Sequence, residues 1–290
     1  MPYRMMEEND WLRWQSRILN AGDPYSGKTG SFLTWPRPLH AVISPGEQGA
    51  GAIRHDPAAG VFVHIFDLDP KERSSQVTRQ VMDRTVEIIA GTYGPVQTLA
   101  VDGVHKLSDF YLDAATNGDY FSGEEFEPRL YVAARRELIN YMNKCRFSGV
   151  QNVVFTCWAG PERDTAKKEE KSTHIWPDLP GQLAKRILGE YTAVLYARVI
   201  AGEKPGDPPR YVWQLKPDNE IWGCGIKAPK EISEKLPKYI PQDWRILMAT
   251  LAGDVSHAVK IMARVTPPAP QAAVPLPLKP GVPPATRSMR

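Results

Sequence analysis

The sequence predicts an α/β fold in which a mostly parallel central sheet is flanked by helices. Short apolar runs rich in Val, Ile and aromatic residues alternate with segments whose apolar residues recur at helical spacing. Such runs are typical of parallel strands buried on both faces, and the alternation is typical of βα units. Toward the C-terminal side, short polar connections separate consecutive strands, which predicts antiparallel strands added to one side of the sheet.

The expected strands begin after a charged N-terminal segment. They are Arg17–Ala21, His40–Ser44, Val61–Phe66, Thr98–Val101, Asn152–Cys157, Ala193–Ile200, Tyr211–Leu215 and Ile221–Ile226. The last two are the strands that we expect to be antiparallel, because the connections before them are too short for a crossover.

Helices are expected between these strands wherever apolar residues share one helical face. Three such stripes are Val77, Val81, Ile88 and Ile89; then Leu138, Tyr141, Met142 and Cys145; and finally Trp244, Leu247, Met248, Leu251, Val255 and Val259. We interpret all three stripes as core-facing surfaces.

Composition indicates a soluble cytoplasmic protein. The 36 Lys and Arg residues barely outnumber the 33 Asp and Glu residues, so any nucleic-acid contact must come from local patches. Cys145, Cys157 and Cys224 are widely spaced and are expected to be reduced thiols. No stretch approaches the roughly 20 apolar residues of a membrane span, so no membrane partner is expected.

Both ends of the chain differ from the middle. Residues 1–15 are mostly polar but contain Trp11 and Trp14, and they are candidates for docking on a neighbouring subunit or for folding back on their own core. Residues 264–290 are rich in proline, which predicts an extended tail that either binds a partner or is simply solvated. The expected core domain is residues 16–263.

A phosphate-binding motif follows the first expected strand. Gly22, Gly27, Lys28 and Thr29 match the Walker A pattern GxxxxGK followed by Ser or Thr, between an apolar run and a helical turn. We expect its backbone N–H groups to surround the phosphates of ATP, Lys28 to neutralise them and the Thr29 hydroxyl to ligate Mg²⁺. The full expected cradle is Gly22, Asp23, Pro24, Tyr25, Ser26, Gly27, Lys28, Thr29 and Gly30.

Two further carboxylates are expected at the same edge of the sheet. Asp102 ends an apolar run and is expected to be the Walker B carboxylate that completes the Mg²⁺ shell. Glu47 follows a strand expected to lie beside the Walker A strand, and it is the first candidate to orient the attacking water. Asp67 and Asp69 are the alternatives, and a solvated loop carboxylate is an equally open interpretation of Glu47.

The order of these motifs resembles the RecA-like ATPases of bacteriophages, short core proteins implicated in single-strand annealing and recombination. The resemblance runs from about Ser16 to about Pro241 and includes GDPYSGKT, HAVISPGE, TLAVDG, VVFTCW, YVWQLKP and IKAP. It implies a RecA-like P-loop NTPase fold, nucleotide bound between subunits, and therefore a homo-oligomeric ring or filament.

The resemblance also implies roles for individual residues. It places Thr156 as the residue that senses the γ-phosphate and Lys227 as a contact to the neighbouring subunit's nucleotide. The family pattern expects arginine two residues after that lysine, where this chain has Pro229 and then Lys230. Either the two lysines share the task or hydrolysis is slow.

A DNA-facing loop is the remaining feature that the resemblance implies. It corresponds here to the segment from Trp158 to Pro177, which also contains His174 and several acidic residues, so a merely solvated loop stays an open alternative. The candidate DNA-binding residues are Trp158, Arg163, Lys167, Lys168, Lys171 and Trp176.

Together these features predict an ATPase that binds single-stranded DNA as an oligomer, with DNA-stimulated turnover, and that assists annealing or recombination beside other phage recombination or replication proteins. Two alternatives remain open at this point. One is a P-loop kinase or other phosphotransferase, and the other is a nucleotide-gated scaffold with little turnover.

Overall fold

The structure is a computed structural model that describes residues 16–66, 69, 71–122, 128–161, 174–179, 183–186, 189–202, 204 and 206–259. The strands are β1 (Ser16–Gly22), β2 (Leu39–Ile43), β3 (Val61–His64), β4 (Thr98–Asp102), β5 (Asn152–Pro161), β6 (Ile175–Pro177), β7 (Ala193–Ile200), β8 (Arg210–Gln214), β9 (Gly225–Ile226) and β10 (Tyr239–Pro241).

The α-helices are α1 (Ser74–Ile89), α2 (Val104–Ala115), α3 (Asp119–Ser122), α4 (Pro128–Arg146), α5 (Leu183–Arg186), α6 (Lys230–Lys235) and α7 (Trp244–Leu251). Three 3₁₀ helices, Gly30–Thr34, Gly49–Ala52 and Pro57–Ala59, lie in the connections around β2 and β3. Among these described helices, none is both long and apolar enough to cross a membrane.

The central sheet has the strand order β10-β8-β7-β1-β5-β4-β2-β3. The strands from β7 to β3 in this order are parallel, whereas β8 pairs antiparallel with β7 and β10 pairs antiparallel with β8. This confirms the predicted fold class, a mostly parallel sheet with antiparallel strands at its C-terminal side. The carboxyl ends of the parallel strands share one edge, where open α/β sheets bind ligands.

Strand neighbours differ from the sequence-based expectation in two places. Strand β2 does not lie beside the Walker A strand β1, because β5 and β4 lie between them. Strand β9 covers only Gly225–Ile226 and pairs with β7, while the unpredicted β10 takes the place beside β8. Both errors have one cause: apolar patterns locate strands but contain no information on which strands become neighbours.

Two of the predicted irregular or helical regions also differ. The start of the expected DNA-facing loop is a continuation of β5, which runs to Pro161 and pairs antiparallel with β6. We call this pair of strands, Ala159–Pro161 and Ile175–Pro177, the ribbon. The last apolar stripe is helical only as far as Leu251, because Gly253 adopts a left-handed φ of 99° and ends α7.

Each face of the sheet carries its own apolar core, as strand alternation requires. Leu19 of β1 and Leu99 of β4 face a core built with α1, α2 and α4, whereas Ile18 and Ala100 face the opposite core. In the second core, Trp35 stacks on Trp244 of α7 at 4.4 Å between ring centroids. The two cores pack against opposite faces of the sheet, and the candidate site lies at its carboxyl edge. Cys145, Cys157 and Cys224 are buried and free.

Candidate nucleotide site

The Walker A loop leaves the carboxyl end of β1 at Gly22 and enters the 3₁₀ helix Gly30–Thr34. The Lys28 side chain is buried and curls over its own loop, with Nζ donating hydrogen bonds to the carbonyl oxygens of Gly22 (2.9 Å) and Asp23 (2.6 Å) and to Ser26 Oγ (3.3 Å). Burial lowers the pKa of Lys28, and nearby acidic groups that include Asp102 oppose that shift. The amine is thus held at the mouth of the loop.

Asp102 ends β4 and is almost completely buried beside the loop. The Thr29 hydroxyl donates to its carboxylate, with distances of 3.0 and 2.9 Å to the two oxygens, and the Thr156 hydroxyl of β5 donates a short hydrogen bond to Oδ1. Thr156 Oγ1 in turn accepts from the Gly103 backbone N–H at 2.8 Å. Burial raises the pKa of Asp102, while the hydrogen bonds from the two threonines and the charge of Lys28 hold the pKa down.

Glu47 lies at the same edge although β2 is not adjacent to β1, because all the intervening strands are parallel. Its side chain packs on Gly103, where an added Cβ would come within 2.6 Å of Glu47 Oε2 and 2.9 Å of its Cγ. Burial and, to a smaller extent, the charge of Asp102 raise the pKa of Glu47. A partly buried carboxylate with a raised pKa is a common general base.

The segment after Glu47 closes over the Thr29–Asp102 pair. A Cβ added at Gly49 would lie 2.2 Å from Asp102 Oδ2 and 2.8 Å from Thr29 Oγ1, so the Gly49 backbone approaches the pair more closely than any larger residue permits. Gly51, two residues further on, has open space at the same position.

These groups surround a cavity of about 880 Å³, within the range of small-molecule sites. The site residues predicted from sequence that line this cavity are Pro24, Tyr25, Ser26, Gly27, Lys28, Thr29, Gly30, Glu47, Asp102, Thr156 and Trp158. Gly22 and Asp23 contribute carbonyl groups to Lys28 instead. The loop apex, Tyr25, has a left-handed φ of 63° and a side chain that is 95% exposed.

Other predicted residues lie elsewhere. Lys227 is exposed and donates to the Gly189 carbonyl, and its backbone N–H donates to Thr192 O, at the sheet edge opposite the Walker A loop. It therefore does not reach this subunit's own cavity, and its role toward a neighbouring subunit stays a prediction. Asp69 is exposed and caps the Lys71 backbone N–H at 2.9 Å, away from the lining residues.

The candidate DNA-binding residues are only partly described. Trp158 packs against His105 in the cavity wall, with ring centroids 4.5 Å apart and the rings tilted. Trp176 of the ribbon is half-buried under Lys185, whose Nζ is 5.7 Å from its ring centroid. Both tryptophans therefore already have intramolecular contacts. Asp67, Arg163, Lys167, Lys168 and Lys171 lie outside the described residues.

The lining residues that the sequence analysis missed include His105, Tyr211 and Gln242. Gln242 follows β10 and ties the Walker A loop to the antiparallel strands, since its Nε2 donates to Ser26 O (2.7 Å) and Val212 O (3.0 Å). A signal existed for His105, which stands three residues after Asp102 in the sequence. None existed for Gln242, because β10 is too short to be recognised by its pattern.

Comparison with known proteins supports the class of protein that this site defines. A family model described as an AAA domain matches residues 15–223, and the chain belongs to this family. It is thus an AAA-type P-loop ATPase domain. No curated protein matches the sequence.

Two solved structures with partly similar folds come from bacterial type III secretion systems. One is a prototypical ATPase from the type III secretion system of pathogenic bacteria, with 14% identity, a TM-score of 0.41, and coverage of 65% of this chain and 53% of that chain. Another is the ATPase EscN, assembled with its central stalk EscO, from enteropathogenic E. coli, at 11% identity, a TM-score of 0.40, and coverage of 63% and 42%. The chain spans about half the length of these proteins.

The residues present fit a magnesium nucleotide, which the family implies. A hydroxyl and a carboxylate in contact, Thr29 and Asp102, are oxygen ligands of the kind that Mg²⁺ prefers. The Lys28 amine beside them supplies the cation that a phosphate chain needs. The Gly49 backbone lies so close to Thr29 and Asp102 that a side chain at position 49 would collide with both oxygens.

Proposed function

We propose that this chain hydrolyses ATP with Mg²⁺ at the described cavity and does so while bound as an oligomer to single-stranded DNA. The observation that carries the hydrolytic part is the direct contact of Thr29 with Asp102 beside the buried amine of Lys28. That arrangement joins the Walker A and Walker B groups in one place, as phosphoryl transfer requires.

Each residue then has a distinct task. Thr29 and Asp102 would hold the metal ion, which when bound neutralises charge on the phosphate oxygens. Thr156 donates to Asp102 and keeps that carboxylate oriented. Lys28 exchanges its loop acceptors for phosphate oxygens, and Glu47 accepts a hydrogen bond from the attacking water and orients it.

Turnover assays test this assignment. Purified protein with ATP and Mg²⁺ is expected to release inorganic phosphate, and Glu47→Gln is expected to lower kcat about 100-fold or more while ATP still binds. Transfer of phosphate to a small acceptor instead of water would favour a phosphotransferase. Tight nucleotide binding with no release in the wild-type protein would favour a scaffold that uses nucleotide only as a switch.

The DNA part of the proposal is supported by the family resemblance and by the position of the ribbon. Strand β5 contributes Thr156 to the site and continues directly into the ribbon. In the sequence, the two strands of the ribbon flank segment 162–173, which contains both basic and acidic residues. DNA bound at that segment would therefore be linked through β5 to Thr156, which contacts Asp102. Basic side chains next to aromatic residues suit phosphate contacts and base stacking.

A charge-removal experiment tests the DNA part. Lys167, Lys168 and Lys171 are replaced together with Ala, and single-stranded DNA binding is followed by fluorescence anisotropy at two salt concentrations. We expect weaker binding and a smaller salt slope, because each lost phosphate contact releases one fewer counterion. The matched control replaces Lys204, Lys216 and Lys235 with Ala, because none of them lines the nucleotide cavity or belongs to the candidate DNA-binding residues. Equal losses in both triple variants would contradict a specific role for the segment.

Assembly and biological role complete the proposal. We propose a ring or filament that assists annealing or recombination, with residues 1–15 docking between subunits and the proline-rich tail available to other recombination or replication proteins of a phage. Electron microscopy with a slowly hydrolysed ATP analogue, with and without single-stranded DNA, tests it. Monomers under all conditions would exclude the ring and the filament, and DNA-independent turnover would exclude stimulation by DNA.

A further inference from the structure

His105 is a buried histidine in the first turn of α2 that the catalytic roles above leave without a task. Its side chain is only 6% exposed and lines the nucleotide cavity. The ring packs against Trp158 on one side, with an interplanar angle of 31°. Lys106, next in sequence, places its Nζ over the same Trp158 ring at 4.7 Å from the centroid.

One hydrogen bond fixes which ring nitrogen carries the proton. The backbone N–H of Trp158 donates to His105 Nδ1 at 3.3 Å. Because an amide N–H cannot accept, Nδ1 must be unprotonated, and a neutral ring then has its proton on Nε2. Burial, with smaller contributions from Lys106 and Lys28, lowers the pKa of His105 to about 3, so the ring is neutral near pH 7.

The Nε2–H group is therefore a donor, and it has no hydrogen-bond partner among the described residues. Its nearest acidic group is Glu47, whose Oε2 lies 3.8 Å away, just beyond hydrogen-bond length. The other side of Glu47 is closed by Gly103, where an added Cβ would overlap the carboxylate. Glu47 thus lies in a slot between the Gly103 backbone and the His105 ring.

We propose that His105 is a positioning residue for Glu47: its Nε2–H donates to the Glu47 carboxylate and fixes the direction in which that carboxylate holds the attacking water. The inference rests on the proposed function, because it assigns His105 to the group that orients water. A shift of about 1 Å brings the two atoms within hydrogen-bond distance, and catalytic hydrogen bonds are often long before substrate binds. A buried donor left without an acceptor is costly, which favours this closure.

Two conservative substitutions separate positioning from packing. In His105→Asn the amide oxygen replaces Nδ1, so the Trp158 N–H keeps its acceptor while the donor at Nε2 is lost. In His105→Gln the amide N–H replaces Nε2, so the donor toward Glu47 is kept and the Trp158 contact is lost. We expect the Gln variant to retain kcat within about 3-fold and the Asn variant to lose about 10- to 100-fold, with ATP affinity unchanged in both.

The opposite order of kcat would overturn the proposal, because a residue that only supports Trp158 must tolerate Asn better than Gln. Equal kcat for both variants and the wild type would also overturn it. Thermal denaturation accompanies each measurement. A variant that does not fold is replaced in the comparison by His105→Ala, for which we expect the same loss of kcat as in a folded Asn variant.

A second background distinguishes this inference from the proposed function. In Glu47→Ala, single-turnover rates are measured with and without His105→Asn, and the effect of the histidine substitution is expected to fall below 2-fold, because its partner is gone. An undiminished effect means that His105 acts through another group, which overturns the inference alone. Normal turnover in Glu47→Ala by itself overturns the water-orienting role of Glu47 and this inference with it.

Discussion

The hydroxyl of Thr29 and the carboxylate of Asp102 are 2.9 Å apart, although 73 residues separate them in the chain. The contact follows from the topology. Thr29 lies just beyond the carboxyl end of β1, and Asp102 lies at the carboxyl end of β4. Only β5 separates these two parallel strands, so both residues lie at the same edge of the sheet. The pair joins the Walker A loop to the carboxylate at the end of β4.

Replacing Lys28 with Ala is expected to abolish tight ATP binding, because its buried amine is the cation held at the mouth of the Walker A loop. Titration with a fluorescent ATP analogue should show at least about a 100-fold loss, the scale of a charge-assisted contact in a buried site. Lys235→Ala, an exposed lysine of α6, is the control and should bind normally. Normal turnover in Lys28→Ala would remove the basis of the ATPase assignment.

Replacing Gly49 with Ala is expected to raise the Mg²⁺ concentration needed for half-maximal turnover. The new methyl group would overlap Asp102 Oδ2 and Thr29 Oγ1 and must push the two oxygens apart. Gly51→Ala is the matched control, because its methyl group meets open space in the same segment. Identical magnesium dependence in the two variants would show that the Gly49 backbone is not held against the pair in solution.

Replacing Gln242 with Ala is expected to weaken ATP binding by about 3- to 10-fold, the effect of losing one or two neutral hydrogen bonds. Its Nε2 ties Ser26 of the loop to Val212 of β8, so the variant loosens the loop without removing a group that contacts the phosphates. Isothermal titration with an ATP analogue measures the change. A loss of folding stability with unchanged affinity would place the role of Gln242 in the sheet alone.

Asp218 is expected to stabilise the fold in a pH-dependent way. Burial works to raise its pKa, but hydrogen bonds from the Ile221 and Glu220 backbone N–H groups and from Lys238 outweigh burial, and the pKa falls to about 2. A lowered carboxylate pKa stabilises the folded state above the unfolded value of 3.8, and the gain is lost as the pH falls toward 2. Asp218→Ala should therefore lower Tm at pH 7.

The difference in Tm between wild type and Asp218→Ala should shrink between pH 4 and pH 2, the window set by the two pKa values. Lys238 donates to the same carboxylate at 2.7 Å, and Lys238→Ala should reproduce part of the loss at pH 7. A Tm difference that stays constant from pH 7 to pH 2 would contradict the ionic origin of the effect.

The residues of this site that could be predicted from sequence are those fixed by motif spacing or by the end of a strand. Lys28, Thr29 and Asp102 were predicted because a phosphate loop needs fixed spacing and its carboxylate ends a recognisable strand. The place of Glu47 at the cavity was predicted although the expected neighbour of its strand was wrong. The predicted location at the sheet edge does not depend on which strands are neighbours, because the carboxyl ends of all the parallel strands lie at the same edge.

The missed groups depend on contacts that spacing does not encode. Gln242 reaches Ser26 only because a three-residue strand pairs with β8, and no periodic pattern exists over so few residues. His105 was within reach of a sequence argument, because it stands three residues after Asp102. Its unpartnered Nε2, however, depends on a hydrogen bond from Trp158 of β5, which spacing does not reveal. The roles of Gln242 and His105 in the site both depend on tertiary hydrogen bonds.

The self-contained bonding of Lys28 has a thermodynamic consequence for any ligand. The amine already donates to two backbone carbonyls and one hydroxyl, so an entering phosphate competes with these oxygens and gains only the difference between the two sets of bonds. In the ligand-free loop, the same hydrogen bonds offset the free-energy cost of burying the Lys28 cation. Phosphate binding must therefore break these loop contacts, and nucleotide exchange should be quicker than in a loop whose lysine has no partner before the ligand enters.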